Sequence, residues 1–571
     1  MSRRSDNTHN PTRAEVAPLG SGRFRFMLVM LVVAMLVLVG RIVDLNVLDR
    51  VFLQGQGDAR TLRVETIDAH RGMISDRDGD PLAISTPVVT LWANPQQLPD
   101  DDIQRMMLAR ALAIELDDLN ARIERYADYE FMYLRRRMTP AEAQKVIDLN
   151  VPGVYVKNEY KRYYPSGEVT AQLVGVTNVD DRGQEGLELA YNSYLTGTPG
   201  KRRVLKDRKG RLVRDLHLIK EAKPGGELTL SIDLRLQYMA YRELKAAVDE
   251  NNADGGTLVM MDARNGEVLA MANAPSYNPN NRAELDVEGL RNQAITDAFE
   301  PGSVMKPLAM SAALESDQFS PDTIVDTSPG YMRVDEYTIN DFRNYGKLDM
   351  GGILLHSSNV GMSRVALQLP EDAIWKRYYE LGLGQARGTG FPGEATGSLP
   401  APYNWSDSKR ATLAYGYGVA VSALQLASAY TAIANQGRQL SPSLLKLEGE
   451  DPQGKPVIEP QIANNLLGML EKIVQPGAGG ARAMVPGYRI AGKTGTVRKV
   501  ASTGYQQTAY RSLFAGIAPV SDPRIVTVVM IDNAKGQEYY GGLVAAPVFS
   551  RVVGKGLRLL DVLPDKKEAL K

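Results

Sequence analysis

Ser303 and Lys306 are a pair of residues whose types and spacing could perform covalent chemistry. Residues 300–306 read EPGSVMK and open a stretch of good helix formers, with Pro307 in its first turn. Three positions apart on a helix, the lysine amine can approach the serine hydroxyl and take its proton as the oxygen attacks a carbonyl. On its own the pattern is common, and it fits a surface serine and lysine equally well.

Two later motifs supply the other groups that such a reaction needs. Residues 357–359, SSN, offer in Ser357 a hydroxyl that can relay a proton toward a leaving amine. Residues 493–496, KTGT, offer a positive charge and two hydroxyls for a substrate carboxylate, and a glycine that leaves room for a substrate backbone. A protonated lysine is no base, so Lys306 must be desolvated and lie near another cation, for which Lys493 is the candidate.

The three motifs together match the signature of serine acyltransferases that react with penicillin, with Ser358 where that signature has an aspartate. Backbone amides of Ser303 and Thr496 would then form the oxyanion hole. A competing pattern overlaps the third motif, because residues 487–494, GYRIAGKT, satisfy the phosphate-binding sequence G-x-x-x-x-G-K-[ST]. That loop requires a buried strand before its first glycine and a helix after its lysine, and neither flank fits.

The composition excludes several other chemistries. The 571 residues contain no cysteine and four scattered histidines, which excludes disulfides, thiolate nucleophiles and cysteine-ligated metals. We therefore expect no metal and no cofactor. Lys and Arg total 67, as do Asp and Glu, so no global field gathers nucleic acid and we expect no nucleic-acid partner.

An apolar run near the N-terminus predicts a membrane anchor. Phe26–Gly40 carries no charge, and Phe24–Val43 reaches the roughly 20 residues of a bilayer span if Arg25 and Arg41 extend toward the interfaces. A cleaved signal peptide and a buried core helix are the alternatives, but no small-residue cleavage site follows the run. Arginines outnumber acids before the span, so the positive-inside rule places the N-terminus in the cytoplasm and the bulk of the chain outside.

The elements that must position the motifs follow a boundary at residues 223–226, KPGG. Strand-like runs over 257–262 and 267–271 flank Asn265-Gly266 as a hairpin with a primed turn. Later apolar runs predict two buried strands and a final helix, over 513–518, 525–531 and 548–560. We therefore predict an α+β multidomain protein in which a central antiparallel β-sheet is sandwiched by helices.

The region before that boundary is predicted to be a mixed α/β scaffold. A helical patch covers 101–149, and 88–92 is strand-like. The charge run Arg135-Arg136-Arg137 fits a solvated face or a partner patch better than catalysis.

The chain resembles the class B penicillin-binding proteins, and among them the division-specific D,D-transpeptidases of Gram-negative bacteria. The resemblance includes the anchor, the catalytic motifs and three motifs of a non-catalytic pedestal: 71–79 (RGMISDRDG), 162–167 (RYYPSG) and 183–188 (GQEGLE). It implies an enzyme that cross-links peptidoglycan. The serine is acylated by the D-Ala-D-Ala end of one stem peptide, D-Ala leaves, and an amine of a neighbouring stem takes the acyl group. β-Lactams mimic the donor and stall as the acyl-enzyme.

By position, the resemblance implies a nucleophile at Ser303, its base at Lys306, and further catalytic residues at Ser357 and Lys493. It implies substrate-binding residues in the second and third motifs and along an aromatic cleft: Asn359, Thr494, Gly495, Thr496, Tyr415, Tyr417, Tyr510, Tyr539 and Tyr540. For each tyrosine, packing in the core or rim is the alternative. His356, beside the second motif, is expected to take no part.

The resemblance also implies an organisation and a location. We expect a cytoplasmic tail over 1–23, an anchor over 24–43, a pedestal for dimerisation or interaction over 44–225, a penicillin-binding transpeptidase domain over 226–562 and a C-terminal tail over 563–571. The protein would cross the inner membrane once and place its catalytic domain in the periplasm. Its expected partners are peptidoglycan stem peptides, β-lactams, a septal glycan polymerase and other division proteins.

Other functions stay open. Hydrolysis of the same acyl-enzyme would make a D,D-carboxypeptidase or a β-lactamase, but a β-lactamase of this type needs a further glutamate that the sequence does not identify. A penicillin-binding sensor needs an output module, and only about twenty-five residues precede the span. A scaffold role does not exclude catalysis. The third motif has Lys-Thr-Gly where some division enzymes have Lys-Ser-Gly, which leaves open whether the chain is the principal division enzyme or a paralogue.

Overall fold

The computed structural model describes residues 21–48, 52, 62–206, 212–281, 288–403, 405–449, 452–501 and 504–566. Its helices, in chain order, are α1 (Ser21–Val43), α2 (Asp102–Leu112), α3 (Leu116–Arg125), α4 (Pro140–Ile147), α5 (Ala171–Val174), α6 (Gly186–Ala190), α7 (Asn192–Leu195), α8 (Leu234–Glu250), α9 (Gln293–Thr296), α10 (Lys306–Glu315), α11 (Met350–Leu355), α12 (Asn359–Gln368), α13 (Ala373–Glu380), α14 (Asp407–Leu413), α15 (Ala423–Ala434), α16 (Pro460–Ile473) and α17 (Gly541–Leu559).

The strands, in chain order, are β1 (Leu62–Ile67), β2 (Ile74–Ser75), β3 (Pro81–Ala93), β4 (Met132–Met138), β5 (Val154–Tyr163), β6 (Gly200–Lys206), β7 (Leu212–Lys220), β8 (Leu228–Thr229), β9 (Gly255–Asp262), β10 (Val268–Ala274), β11 (Val325–Asp326), β12 (Tyr331–Val334), β13 (Tyr337–Asn340), β14 (Lys347–Leu348), β15 (Arg438–Gln439), β16 (Lys455–Pro456), β17 (Ala491–Ala501), β18 (Gly504–Ala518) and β19 (Ile525–Asp532).

The chain divides into two compact units, one formed by 1–67 and 199–222 and the other by 68–198 and 223–571. In the first unit, β6 lies between β1 and β7 in an antiparallel sheet. The same unit contains α1, whose apolar side chains are exposed along its length. Of the residues that the structure describes, only this N-terminal helix is long and apolar enough to cross a membrane. It contains the span predicted from the sequence.

In the second unit, the pedestal is built around the long strand β3, which pairs antiparallel with β2, β4 and β5. Helices α2, α3 and α4 pack on one face of this sheet through Leu91, Leu108 and Leu119. The helical patch predicted for 101–149 is therefore interrupted by β4, because alternating apolar residues in 132–138 pair with β3. The arginine run lies on β4.

The arginines of this run have partners in the fold, although Arg135 itself is exposed, as expected for a solvated face. Arg135 donates to the carbonyl of Leu112 at 2.7 Å. Arg136 forms ion pairs with Asp180 at 3.4 Å and with Glu159 at 3.7 Å. These contacts link β4 to neighbouring segments, which a pattern of like charges in the sequence cannot reveal.

The three pedestal motifs meet at one buried ion triad. The two Glu188 carboxylate oxygens accept from Nε of Arg71 and from Nε of Arg162, each at 2.6 Å. All three side chains are almost fully buried. The first of these motifs, residues 71–79, also joins the pedestal to the following domain, because Asp76 accepts from the backbone amide of Leu234 at 3.0 Å.

The region after the boundary at 223–226 contains a five-stranded antiparallel sheet in the order β10-β9-β19-β18-β17, with β17 at one edge. Alternate side chains of β9 face opposite sides, so Met260 packs with α8 and α17 while Met261 faces the side that α9 and α15 cover. This confirms the predicted antiparallel sheet sandwiched by helices.

The predicted β9–β10 hairpin is present, but its turn is not the primed type. Only Gly266 of the Asn265-Gly266 pair has a positive φ, +85°, and its amide donates to the carbonyl of Asp262 at 3.0 Å. Asn265 instead accepts from the amide of Glu267 through its side chain. A type I′ turn needs both residues left-handed and a type II′ turn needs the first, whereas here only the second is left-handed. The strands are therefore joined by a longer loop, which this side-chain hydrogen bond stabilises.

Candidate active site

Ser303 lies on a 3-10 turn, Gly302–Met305, that leads directly into α10. With three residues per turn, positions i and i+3 lie on the same side, which orients Ser303 and Lys306 alike. The turn is fixed by glycines. The amide of Gly302, at φ +59°, donates to the carbonyl of Gly416 at 3.1 Å, and a Cβ on Gly302 would lie 2.3 Å from Val497 of β17.

Lys306 is fully buried, and its amine lies against the second motif. Nζ contacts the carbonyl of Ser357 at 2.5 Å, Oγ of Ser357 at 3.1 Å and Oδ1 of Asn359 at 2.7 Å. A neutral amine has two hydrogens, and the carbonyl and amide oxygens can only accept them. The lone pair of Lys306 is thereby left for a hydroxyl, which is the state that a general base requires.

Ser357 adopts a left-handed backbone at φ +52°, between the end of α11 and the start of α12. This conformation costs on the order of 1 kcal/mol or more for a residue with a Cβ. It places the hydroxyl between two amines, since Lys493 Nζ donates to Ser357 Oγ at 3.0 Å and Lys306 Nζ lies 3.1 Å from the same atom. Ser357 is therefore positioned to pass a proton between them.

Asp341 holds the second motif in place and was not identified from the sequence. Its carboxylate accepts from Ser358 Oγ at 2.5 Å and from the backbone amides of Asn359 and Val360 at 2.6 and 3.0 Å. These are the first amides of α12, where a negative charge is favourable. Nothing in the spacing marks this residue, which follows β13 seventeen positions before Ser358.

Lys493 lies on the edge strand β17, and its side chain is 1% exposed. Besides Ser357, its amine donates to the carbonyl of Thr494 at 3.1 Å. Because a strand and not a helix follows the lysine, the phosphate-binding interpretation of residues 487–494 is excluded.

Gly495 and Thr496 pack against the neighbouring elements. A Cβ on Gly495 would lie 3.1 Å from Val304 and 3.3 Å from the carbonyl of Pro301. The glycine thus permits close approach of β17 to the turn that carries Ser303, a different reason from the room for substrate that the sequence suggested. Thr496 Oγ1 accepts from the amide of Gly541, the first residue of α17, at 3.0 Å, which leaves its hydroxyl proton for a ligand.

The electrostatics of the two lysines favour a neutral base. Burial, and then the positive charge of Lys493, lower the pKa of Lys306 well below its ordinary value, while Asp341 opposes this shift. Burial lowers the pKa of Lys493 to about 7. The arrangement combines a half-buried serine at a helix start, a desolvated amine and a hydroxyl relay, which are the components of acyl transfer without histidine.

Comparisons with known proteins agree with this chemistry. Residues 256–554 match the family described as the penicillin binding protein transpeptidase domain, and residues 66–230 match the penicillin-binding protein dimerisation domain. The chain belongs to the penicillin-binding protein transpeptidase family.

Two curated relatives cover nearly the whole chain. A probable peptidoglycan D,D-transpeptidase, PbpC, of Pseudomonas aeruginosa is 44% identical over 546 residues, which are 95% of this chain and 96% of that protein. The peptidoglycan D,D-transpeptidase FtsI of Escherichia coli is 42% identical over 98% of this chain and 95% of its own.

Solved structures of penicillin-binding proteins share the fold. The apo transpeptidase domain of Burkholderia pseudomallei penicillin-binding protein 3 has a TM-score of 0.55 at 40% identity, covering 59% of this chain and 98% of that one. Penicillin-binding protein 3 of Mycobacterium tuberculosis, complexed with aztreonam, has a TM-score of 0.69 at 27% identity, covering 88% and 98%.

The tyrosines named from the family resemblance form two groups in this penicillin-binding fold. Tyr415 lies next to Lys306, whose amine is 5.9 Å from the ring centroid, and Tyr417 packs edge-on against Tyr415 at 5.6 Å. In the second group Tyr539 stacks on both Tyr510 and Tyr540, with centroids 4.4 and 4.5 Å apart. Tyr415 is buried, whereas Tyr540 is 45% exposed.

Tyr505 and Glu300 extend the first tyrosine group, and both were missed. Tyr505 packs on Tyr417 at 5.9 Å and donates to the Glu300 carboxylate at 3.0 Å. Glu300 also accepts from the amide of Gly418 at 2.9 Å. In the sequence, the only sign that Glu300 belongs to the site is its position three residues before Ser303. His356 is exposed and stacks on Tyr345 at 4.7 Å.

Proposed function

We propose that this peptidoglycan D,D-transpeptidase works through an acyl-enzyme on Ser303, with Lys306 as the base. The observation that carries the proposal is the buried amine of Lys306, whose two hydrogens are taken by Ser357 O and Asn359 Oδ1. As Ser303 Oγ bonds to the donor carbonyl, its proton goes to Lys306. The proton then passes through Ser357 to the D-Ala nitrogen as the donor amide bond breaks.

The second half-reaction reverses the roles. The acceptor amine bonds to the acyl carbon, its proton returns through Ser357 to the oxygen of Ser303 as the ester bond breaks, and the cross-link is released. We assign the donor carboxylate to Lys493, Thr494 and Thr496, because a charge and two hydroxyls at an edge strand suit an extended peptide end. The backbone amides of Ser303 and Thr496 would hold the oxyanion.

We further propose that the tyrosines of both groups line the substrate cleft, and that Gly495 supports it by letting β17 approach the nucleophile turn. The half-exposed edges of Tyr539 and Tyr540 offer apolar contact area to a peptide or a β-lactam side chain.

We also propose the organisation and placement of the whole chain. The tail 1–23 would be cytoplasmic, 24–43 would span the inner membrane, 44–225 would form the pedestal, 226–562 would catalyse in the periplasm, and 563–571 would be a tail. Basic residues before the apolar helix support this orientation. Septal cross-linking with a glycan polymerase and other division proteins is the proposed context, supported by the similarity to FtsI.

Intact mass of the full chain in detergent, followed for hours after exposure to benzylpenicillin, tests the proposal. We expect a long-lived adduct of one penicillin that is absent from Ser303→Ala. Ser311→Ala is the matched control, since that serine is buried on α10 and belongs to none of the three motifs. Rapid loss of the adduct with drug turnover would indicate a hydrolase, and no adduct on folded protein would indicate a scaffold.

A further inference from the structure

A cavity of about 440 Å³ lies at the C-terminal end of α13, lined in part by β15 and β16. It shares no lining residue with the three catalytic motifs. Its neighbour α13 packs on α10, the helix that begins with Lys306. Arg377 makes this connection, because it donates to Ser311 Oγ at 3.3 Å and pairs with Glu315.

Arg387 lines this cavity, and its half-buried side chain forms no ion pair with a carboxylate in the described part of the chain. Its Nε is buried and has no hydrogen-bond partner within the described part of the chain. The guanidinium lies against the backbone of Gly382, where a Cβ would come within 1.5 Å of Nη1. Gly382 has φ +74°, so a glycine is required there both for backbone geometry and for space.

Glu394 is the carboxylate whose charge acts on the Arg387 guanidinium, but its oxygens accept hydrogen bonds from other groups. It accepts from the backbone amide of Arg387, and from the amide and hydroxyl of Thr389 at 3.0 and 2.8 Å. Burial lowers the pKa of Arg387, and Glu394 only partly opposes this shift. A desolvated cation of this kind gains most from an anion that enters the cavity.

The other lining groups indicate which anion would fit. Gln385 and Gln439 donate their side-chain amides to the carbonyls of Tyr379 and Leu381, each at 2.8 Å, so that their Oε1 atoms remain as acceptors for N–H groups. Tyr379 is half exposed and stacks on Trp375 with centroids 5.1 Å apart.

Two charged side chains complete the lining. Lys455 adds an exposed positive charge. Among the lining residues that the structure describes, Glu380 is the one acid, and its carboxylate lies 3.4 Å from Nε of Arg377. A single negative charge is therefore favoured over a dianion such as phosphate.

We propose that this cavity binds the C-terminal carboxylate of a short peptide. Arg387 takes the carboxylate through its planar fork, Lys455 adds a second positive charge, and the Oε1 atoms of Gln385 and Gln439 accept from the peptide amides. The Tyr379 ring packs against a small side chain. Binding here is separate from acyl transfer at Ser303.

Isothermal titration calorimetry of the full chain in detergent, with N-acetyl-D-alanyl-D-alanine as the probe, tests this site. The protein is titrated with and without prior benzylpenicillin treatment, so that the Arg387-dependent component is measured whether or not Ser303 is acylated. We expect saturable binding of the acid, at least about tenfold weaker binding of its C-terminal amide, and a similar loss for the acid in Arg387→Gln. The exposed Lys472→Gln variant, on α16, should leave affinity unchanged.

An unchanged affinity in Arg387→Gln, or equal affinity for the acid and the amide, would overturn the proposal. If Arg387→Gln fails to fold by circular dichroism, Lys455→Gln decides, with about threefold weaker binding of the acid expected and no change contradicting the site. Displacement of the peptide by equimolar acetate or phosphate would overturn the peptide assignment, since it would show that any simple anion suffices.

Discussion

The pedestal and the catalytic cleft each bury two cationic side chains, but they surround them differently. In the pedestal, Arg71 and Arg162 bind opposite oxygens of Glu188 at 2.6 Å. In the cleft, Lys306 and Lys493 approach the same hydroxyl of Ser357 at 3.1 and 3.0 Å, and no carboxylate forms an ion pair with either amine among the described residues.

This difference separates a structural charge from a catalytic one. A buried carboxylate between two guanidiniums pairs their charges and joins segments that are far apart in the chain, and removal of the carboxylate leaves two buried charges unpaired. In the cleft, burial lowers the pKa of both amines, and the positive charge of Lys493 lowers the pKa of Lys306 further. The cleft thereby obtains an amine that releases its proton more readily, as the proposed base requires, at the cost of some stability.

Replacing the base should give the largest effect. We expect Lys306→Met to slow acylation by benzylpenicillin about 10³-fold, because proton transfer from Ser303 loses its acceptor. The midpoint temperature of thermal unfolding should not fall, because the folded variant no longer buries an amine that is protonated in the unfolded chain. Second-order rates from intact mass and a thermal melt measure both, with the exposed Lys472→Met as the control. A rate loss of less than tenfold would contradict the role of Lys306.

The opposite result is expected for the pedestal. Glu188→Gln should lower the free energy of unfolding by about 3–5 kcal/mol, because two buried guanidiniums lose their counter-charge. The protein that remains folded should acylate at the normal rate. Denaturant unfolding and active-site titration test this against Glu130→Gln, an exposed pedestal residue. Unchanged stability would show that the triad does not hold the pedestal together.

The charge of Lys493 should appear in the pH dependence of acylation. Its pKa of about 7 means that the positive charge offered to the β-lactam carboxylate is lost as pH rises through about 7. In the wild type we expect the acylation rate to fall as pH rises above about 7. The Lys493→Met variant should be roughly 10²-fold slower, and its rate should not show this alkaline fall. Rates measured from pH 5 to 9 check this, and an alkaline limb that persists in Lys493→Met would assign it to another group.

Replacing Asp341 should have a smaller effect than replacing Lys493. The two charges also act on the pKa of Lys306 in opposite directions, since Lys493 lowers it and Asp341 raises it. Its negative charge raises the pKa of Lys306, so Asp341→Asn should move the acidic limb of the acylation profile to lower pH. The plateau rate should fall about tenfold, because the first amides of α12 lose a charged acceptor. A tenfold fall without movement of the acidic limb would show that Asp341 only positions the second motif. Asp326→Asn, an exposed carboxylate on β11, is the matched control.

Several features were determined by the sequence alone, because they depend on local patterns. The apolar run gives a helix over Ser21–Val43, and strand-like alternation and apolar runs predicted the central sheet. Ser303 and Lys306 share one side of a turn because their spacing dictates it. The motifs also identified the family, since three short segments in this order rarely occur together by chance.

Only the tertiary structure decided how those segments act on one another. Arg71, Arg162 and Glu188 lie up to 117 positions apart and meet in one triad, and Asp341 reaches the second motif from a separate hairpin. The pKa of Lys306, on α10, depends on burial and on the charge of Lys493 from strand β17. Desolvation and Coulomb energies are set by distances in the packed molecule, which the order of residues along the chain does not specify.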